Sequence, residues 1–237
     1  MTGKLTGVGV GPGDSGLLTL LGARAIADAG VVFAPKAPGG DSLALAIARS
    51  HVSPGAEIVV LEYEMTAGRE RRSAYWREAA VLAAEKLSRG VDMVFLTIGD
   101  PLLYSTWIYF MREVRALLPD APVSTVAGVS AVSAAAALSG IPLGEGGAPL
   151  VIVPGGRNLD LLERALDLGG TVAVMKLGKR LAEVVALLAR RGLLERSTLS
   201  ARVGFDGERV VRGLAGFSPD DPGAGDMAVL LIDAGKP

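Results

Sequence analysis

The stretch LTGVGVGPGD, residues 5–14, joins a short apolar run to a loop rich in glycine, and Thr19 follows it as a candidate helix cap. An apolar run of this length predicts a buried strand. Beyond Thr19, apolar residues recur three and four positions apart, which predicts a helix with one buried face, at Leu20, Ala23, Ile26 and Ala27. A strand, a tight loop and a helix in this order predict the start of an α/β fold.

The same alternation extends along the chain. In the first half we predict strands at 31–34, 57–61 and 93–97, and helices at 41–50, 73–89 and 106–118. The second half continues with strands at 123–126, 150–153 and 171–175, helices at 129–138, 159–166 and 181–191, and then strands at 198–203, 209–213 and 227–232. Only loops join these last strands, which indicates antiparallel neighbours in a mixed sheet.

The sequence therefore predicts two α/β domains. Residues 119–122, PDAP, are the predicted linker between an N-terminal domain at 1–118 with a mostly parallel sheet and a C-terminal domain at 123–237 with a mixed sheet. A cleft between two such domains is a usual place for a small-molecule site, so we expect one there.

Composition excludes several kinds of site. The 237 residues include no Cys and one His, which rules out disulfides, thiolate zinc sites, iron–sulfur clusters, cysteine nucleophiles and two-histidine metal motifs, so no metal site is expected. With 24 Lys and Arg against 25 Asp and Glu, the chain has no general attraction to nucleic acid or to an anionic membrane.

Mean hydropathy is high, at +0.41, so the apolar stretches need inspection for membrane spans. The strongest candidate, residues 129–143, is shorter than the roughly 20 apolar residues that a span needs, and it contains Gly140 and Pro142. The first ten residues lack the apolar core and cleavage site of a signal peptide. We therefore expect a cytoplasmic protein that binds neither membrane nor nucleic acid.

The glycine loop does not match the common nucleotide-binding motifs. Asp14 stands where G-x-G-x-x-G needs its third glycine, and the second predicted strand runs into Pro35 and Lys36 rather than into a ribose-binding acid. A nicotinamide-dependent oxidoreductase is therefore disfavoured. Because Pro12 removes one backbone amide, the loop favours a flat or bulky ligand over a phosphate, although a purely structural turn remains an alternative.

A second candidate loop, IGDPLLYST at residues 98–106, follows the predicted buried strand at 93–97. Ligands of open α/β sheets bind at this carboxyl edge. Gly99 permits close approach, Asp100 accepts hydrogen bonds from a hydroxyl or an ammonium group, and Tyr104 offers an amphipathic ring. The alternative is a capped turn in which Asp100 bonds only to nearby backbone amides.

Together these segments resemble the tetrapyrrole methylases, which methylate porphyrin-like rings with S-adenosylmethionine. The resemblance rests on VGVGPG at 8–13 with LLTL at 17–20, on GD at 99–100 with YS at 104–105, on AGVSA at 127–131 and on VMK at 174–176. Leu21, where a basic residue is common, and Ala127, in place of proline, depart from the family pattern.

Within that family, further segments resemble the enzymes that methylate C20 of precorrin-2 in cobalamin synthesis. These are GDPLLYST at 99–106, Glu64-Met65-Thr66, and Ser73-Ala74-Tyr75-Trp76. The resemblance implies a homodimer that methylates precorrin-2 or its cobalt form, cobalt-factor II. The alternatives are a sibling methylase that acts on another ring carbon, and a protein that binds S-adenosylmethionine without turnover.

The resemblance also implies site residues. It places S-adenosylmethionine contacts at Pro12, Gly99, Asp100, Leu103, Ser130, Ala131, Met175 and Val203. The substrate carries several carboxylates, so cations near strand ends are candidate ligands, and the predicted substrate contacts are Lys36, Tyr104, Ser105, Thr106 and Arg157. Tyr104 is also the candidate catalytic residue, because it could orient the ring. A sulfonium methyl group is already activated, so the reaction mainly needs positioning, which suits a chain with one His and no Cys.

Overall fold

A computed structural model describes residues 2–64, 68–155, 158–219, 221 and 223–235. The chain forms two compact units, residues 1–130 and 131–237, and each contains one five-stranded sheet with helices. The predicted pair of α/β domains, one with a parallel sheet and one with a mixed sheet, is confirmed. The cleft expected between them stays a prediction.

In the first unit, five strands and four helices alternate. Their bounds are β1 (Leu5–Gly9), α1 (Leu20–Ala27), β2 (Val31–Lys36), α2 (Leu43–Ala48), β3 (Glu57–Glu62), α3 (Arg69–Ser88), β4 (Met93–Thr97), α4 (Trp107–Leu117) and β5 (Val123–Val126). The sheet order is β3-β2-β4-β1-β5, and each neighbouring pair is parallel. The carboxyl ends of β4, β1 and β5 therefore lie side by side at one edge.

The core of the first unit is aromatic. Phe95 of β4 stacks on Phe110 of α4 at a ring-centroid distance of 4.8 Å, and Trp76 of α3 contacts both rings from one side. Trp107 is fully buried over β1, where a Cβ at Gly7 would come within 2.2 Å of its indole ring. Because only glycine leaves room for this ring, Gly7 fixes the position at which α4 begins.

The second unit has an aliphatic core and a different order of elements. Its elements are α5 (Ala131–Ser139), β6 (Leu150–Pro154), α6 (Leu159–Asp167), β7 (Gly170–Met175), α7 (Leu181–Arg190), β8 (Ser197–Ala201), β9 (Arg209–Arg212) and β10 (Ala228–Gly235). The sheet order is β6-β7-β10-β8-β9; β6 and β7 are parallel, and the other neighbouring pairs are antiparallel. The antiparallel arrangement of the last three strands is as the loop-only connections indicated.

The division between the units differs from the expected one. Strand β5 was assigned to a C-terminal domain at 123–237, with the N-terminal domain ending at 118, but β5 pairs with β1 and belongs to the first sheet. The first unit therefore extends to Ser130. The proline-rich segment 119–122 resembles a linker because it is polar and breaks a helix, yet it only turns the chain into the fifth parallel strand.

The described residues contain neither a membrane-spanning helix nor a cluster of metal-ligating side chains. None of their helices has the length and apolar character needed to cross a membrane. They also contain no group of three or more His, Cys, Asp or Glu side chains that could hold a metal ion.

Candidate functional site

Loops after β1 and β4 meet at the carboxyl edge of the first sheet. Val10 N–H donates to the carbonyl of Thr97 at 2.9 Å, and Gly99 N–H donates to the carbonyl of Gly11 at 2.7 Å. Gly11 and Gly99 form an isolated antiparallel bridge beyond the parallel strands. The glycine loop and the 98–106 loop, singled out separately in the sequence, thus form one continuous structure.

Three glycines bring the loop after β5 against these two. A Cβ at Gly9 would lie 2.5 Å from the carbonyl oxygen of Gly99, and a Cβ at Gly128 would lie 2.2 Å from the same oxygen. All the nearest atoms are backbone atoms, which cannot rotate away. The sequence drew attention to Gly99, but it gave no signal that Gly9 and Gly128 would be its packing partners.

Asp100 connects two of the loops through its carboxylate. One oxygen, Oδ1, accepts from the backbone N–H of Leu102 at 2.8 Å, and Oδ2 accepts from the backbone N–H of Gly128 at 3.2 Å. The first bond is the local turn that we considered as an alternative, whereas the second crosses to the loop after β5. A carboxylate has about four acceptor positions, so Asp100 keeps acceptor capacity for a ligand hydroxyl or ammonium group.

Tyr104 has a backbone conformation that non-glycine residues seldom adopt. Its φ is 53°, in the left-handed region, and its side chain is 40% exposed. Holding such a residue there costs of order 1–3 kcal/mol, and strain of this kind concentrates at functional sites. The structure therefore keeps Tyr104 as a candidate for contact with a bound ring.

Ser105 and Thr106 are less available than the sequence suggested. The buried Ser105 hydroxyl donates to the carbonyl of Pro101 at 2.6 Å and accepts from the N–H of Trp107 at 3.1 Å. Its only donor is used, so it has no O–H for a substrate carboxylate, and its observed part is to shape the loop. The Thr106 side chain hydrogen-bonds to Tyr63. Burial raises the pKa of the Tyr63 phenol, and the hydrogen bond with Thr106 partly offsets that rise.

The other predicted cofactor contacts of the first unit lie at the same edge of the sheet. Pro12 is buried in the loop after β1, and that loop is closed by the Asp14 carboxylate, which accepts from the N–H of Gly16 at 2.7 Å. Leu103 is half-buried and donates its N–H to the carbonyl of Asp100 at 3.3 Å. Ser130, also half-buried, is the last residue of the unit. Their contact with a cofactor stays a prediction.

In the second unit, Met175 and Val203 lie at one edge of the mixed sheet. Met175 ends β7 and pairs with Val229 of β10, while Val203 follows β8, whose last residue pairs with the first residue of β10. Both side chains are buried. Beside Met175, Lys176 has a φ of 57°, and desolvation lowers the pKa of its ammonium group. Ala131, the remaining predicted contact, begins α5.

The two predicted substrate cations have different outcomes. Lys36 ends β2, and its Nζ lies 2.9 Å from Oε2 of Glu62 at the end of β3. Its charge is thus largely balanced within the sheet. Arg157 lies outside the described residues, as do Met65 and Thr66 of the segment used for the resemblance. The sequence analysis did not single out Tyr63, which hydrogen-bonds to Thr106 of the 98–106 loop. Its position directly after β3, at the carboxyl edge of the sheet, was the signal available for it.

Sequence comparisons agree with one another about the family. The model of the Tetrapyrrole (Corrin/Porphyrin) Methylases matches residues 4–217. The chain is 31% identical over 223 residues to the cobalt-precorrin-2 C(20)-methyltransferase of Salmonella typhimurium, covering 94% of this chain and 93% of the relative. It is 34% identical over 216 residues to the probable cobalt-precorrin-2 C(20)-methyltransferase of Methanocaldococcus jannaschii, covering 89% and 87%.

Solved structures share the fold. The X-ray structure of cobalt precorrin-4 methyltransferase superposes with a TM-score of 0.74 at 22% identity, covering 99% of this chain and 96% of that one. Uroporphyrin-III C-methyl transferase from Thermus thermophilus, complexed with S-adenosyl homocysteine, gives a TM-score of 0.67 at 24% identity and covers 97% of each chain.

Proposed function

The chain belongs to the tetrapyrrole (corrin/porphyrin) methylase family, and on that premise we propose that it transfers a methyl group from S-adenosylmethionine to C20 of precorrin-2 or of cobalt-factor II. The observation that carries the position on the ring is the near full-length similarity to two relatives named as C20-methyltransferases. The residues of the 98–106 loop, which carried the resemblance in the sequence, support the same choice.

The chemistry of the donor set fits the methyl donor. When bound, S-adenosylmethionine supplies a methyl group activated by its sulfonium. The loops after β1, β4 and β5 would hold it, with Pro12, Gly99, Leu103 and Ser130 as contacts. Asp100 presents its spare acceptor capacity to the ribose hydroxyls or the amino group. We propose Ala131, Met175 and Val203 as the contacts from the second unit.

The chain's own contribution to the rate is positioning. The meso carbon of a reduced tetrapyrrole is an enamine-like nucleophile, so its electron pair forms the new carbon–carbon bond as the carbon–sulfur bond breaks, and the carbon then loses its proton. Holding two reactants in line can supply roughly 7–11 kcal/mol of barrier reduction. Three loops joined by backbone contacts at Gly9, Gly99 and Gly128 provide such a rigid frame, and Tyr104 would orient the ring.

An anaerobic incubation tests the proposal. The protein receives methyl-labelled S-adenosylmethionine with precorrin-2 or with cobalt-factor II, and mass spectrometry follows the product. We expect one methyl group on one of the rings, and carbon NMR should locate it at C20. A methyl group at another carbon would identify a sibling activity, and binding of the donor with no transfer to either ring would contradict the proposal.

The proposal includes a homodimer in the cytoplasm. The adjacent side chains Leu20 and Leu21 of α1 are 77% and 61% exposed, and a second copy that covers them would remove apolar surface from water. Light scattering should give twice the mass of one chain, and replacing both residues with serine should shift the protein toward the monomer. Cell fractionation tests the location.

A further inference from the structure

A pocket lies in the first unit, beyond the ends of β2 and β3 and beside the first turns of α3. Its volume is about 190 Å³, and its charged and aromatic lining consists of Glu62, Tyr63, Glu64, Arg71, Arg72 and Tyr75. Pockets that enclose a whole small molecule usually measure about 300–1,000 Å³. This one is therefore large enough for a substituent of a ligand and too small for a tetrapyrrole ring.

The Tyr75 hydroxyl is a buried donor without an acceptor. Its oxygen has no hydrogen-bond partner among the described residues, although the ring is fixed by contacts with Tyr63 and Trp76 at centroid distances of 5.9 and 5.0 Å. Burial, followed by the nearby Tyr63, Glu62 and Glu78, raises the pKa of Tyr75, so the hydroxyl keeps its proton. Buried polar groups are nearly always paired, which indicates that this hydroxyl takes an acceptor other than the described residues.

The pocket presents hydrogen-bond donors to an anion. Arg71 and Arg72 lie in the first turn of α3, where the helix dipole favours acidic residues rather than cations. Of the acidic residues of the lining, Glu62 pairs with Lys36 at 2.9 Å, and Glu64 lies 3.9 Å from Arg71. With Glu78 near Tyr75, the carboxylates equal Lys36, Arg71 and Arg72 in number, so the pocket has no excess charge. An arginine has five N–H donors, so Arg72 can keep its contacts within the chain and still donate to a ligand.

Tyr63 connects the pocket with the candidate site. Tyr63, which lines it, hydrogen-bonds to Thr106 at the N-terminus of α4, two residues after Tyr104. The backbone N–H of Tyr63 donates to the carbonyl of Lys36 at 3.1 Å, which joins the ends of β2 and β3. A ring held beside Tyr104 would therefore have this pocket next to its rim.

We propose that the pocket binds one carboxylate-bearing arm of the ring substrate, with the Tyr75 hydroxyl and the Arg72 guanidinium as donors. The inference rests on the proposed function, and it adds a second point that fixes how the ring is rotated. Two donors on one carboxylate would hold that arm in a single orientation, which selects the meso carbon presented for methylation.

Tyr75→Phe tests the hydroxyl alone. The ring contacts remain, and because the hydroxyl makes no bond in the free protein, the melting temperature should not fall. The KM for cobalt-factor II, or for precorrin-2 if that is the ring accepted, should rise about 10-fold or more, as for a hydrogen bond to a charged group. The matched control is Tyr109→Phe on the exposed face of α4, which should leave the KM unchanged. Affinity for S-adenosylhomocysteine, measured by calorimetry, should be the same in both variants.

Arg72→Gln, with the exposed Arg112→Gln as control, tests the cation. The KM should rise at low salt, and the rise should shrink as added salt screens the charge in the wild type. If the wild type methylates a ring and neither Tyr75→Phe nor Arg72→Gln changes the KM, the pocket assignment is wrong while the proposed function stands.

Equilibrium binding distinguishes failure of the proposed reaction from failure of the pocket assignment. If the wild type transfers no methyl group, the affinity for cobalt-factor II is measured by quenching of tryptophan fluorescence. Weaker binding by Tyr75→Phe would support the pocket although the proposed reaction had failed. Absence of ring binding by the wild type, or equal binding by the variant, would overturn the pocket assignment.

Discussion

Gly128→Ala should damage the candidate site more than its small size suggests. The added Cβ would lie 2.2 Å from the carbonyl oxygen of Gly99 and 2.8 Å from the Cα of Gly9, whereas real Cβ contacts are almost never shorter than 3.0 Å. Backbone must therefore move by about 1 Å to restore normal contact. Overpacking of this kind typically costs about 1–3 kcal/mol of stability.

The effect on activity should exceed the effect on stability. The same displacement would stretch the 3.2 Å bond from the N–H of Gly128 to Asp100 and move the loop that carries the predicted cofactor contacts. A misplacement of about 1 Å can lower a rate by roughly 100-fold. We expect a fall of that order in kcat/KM with a clear loss of affinity for S-adenosylhomocysteine, measured by calorimetry.

Gly55→Ala is the matched control. Its Cβ would have no atom within 4 Å and its backbone is not left-handed, so the variant should be neutral or about 0.4–1 kcal/mol more stable. The Cβ of Gly9→Ala would approach the same carbonyl oxygen of Gly99. The double variant with Gly128→Ala should therefore lose less stability than the sum of the two single losses. Urea unfolding of all four proteins gives these values. A Gly128→Ala protein as stable and as tight in binding as Gly55→Ala would refute the close packing of these loops.

Three further substitutions probe other contacts. Gly7→Ala forces a Cβ to within 2.2 Å of Trp107 and should cost about 1–3 kcal/mol in urea unfolding, with a change in near-ultraviolet circular dichroism from the displaced indole. Asp100→Asn keeps the side-chain shape but removes the charge, so calorimetry should find weaker binding of S-adenosylhomocysteine, and unchanged affinity would contradict the ligand role. Asp233→Asn should cost at most ~1 kcal/mol at neutral pH, because the hydrogen bond from the exposed Arg196 lowers the pKa of Asp233. Since the folded pKa is lowered, this stabilisation exists above the ordinary Asp value of about 3.9 and should vanish in unfolding curves taken at progressively lower pH.

Local patterns sufficed to predict the elements, and they failed where a contact depends on strands distant in sequence. The strand at 93–97 and its loop were predictable because an apolar run is followed closely by the turn-forming residues Gly99-Asp100-Pro101. The membership of β5 in the first sheet was not, since its own residues, Val123 to Val126, are compatible with either sheet. Ser105 illustrates a different, local limit: its hydroxyl was predicted to face a substrate, but the turn that begins at Pro101 places a backbone acceptor 2.6 Å away.

The candidate site is built mainly from backbone, and this bears on the chemistry it can perform. Gly9, Gly99 and Gly128 fix three strand ends against one another, and Asp100 joins two of the loops by accepting from the backbone N–H of Gly128. A rigid frame of this kind aligns reactants well, but it supplies few groups that exchange protons near neutral pH. Transfer of an already activated methyl group needs the first property and little of the second. Substitutions at the packed glycines should therefore lower the rate more than removal of a single exposed charge, because a surface ion pair contributes at most about 1 kcal/mol while the glycines fix the loops that we propose to position the reacting atoms.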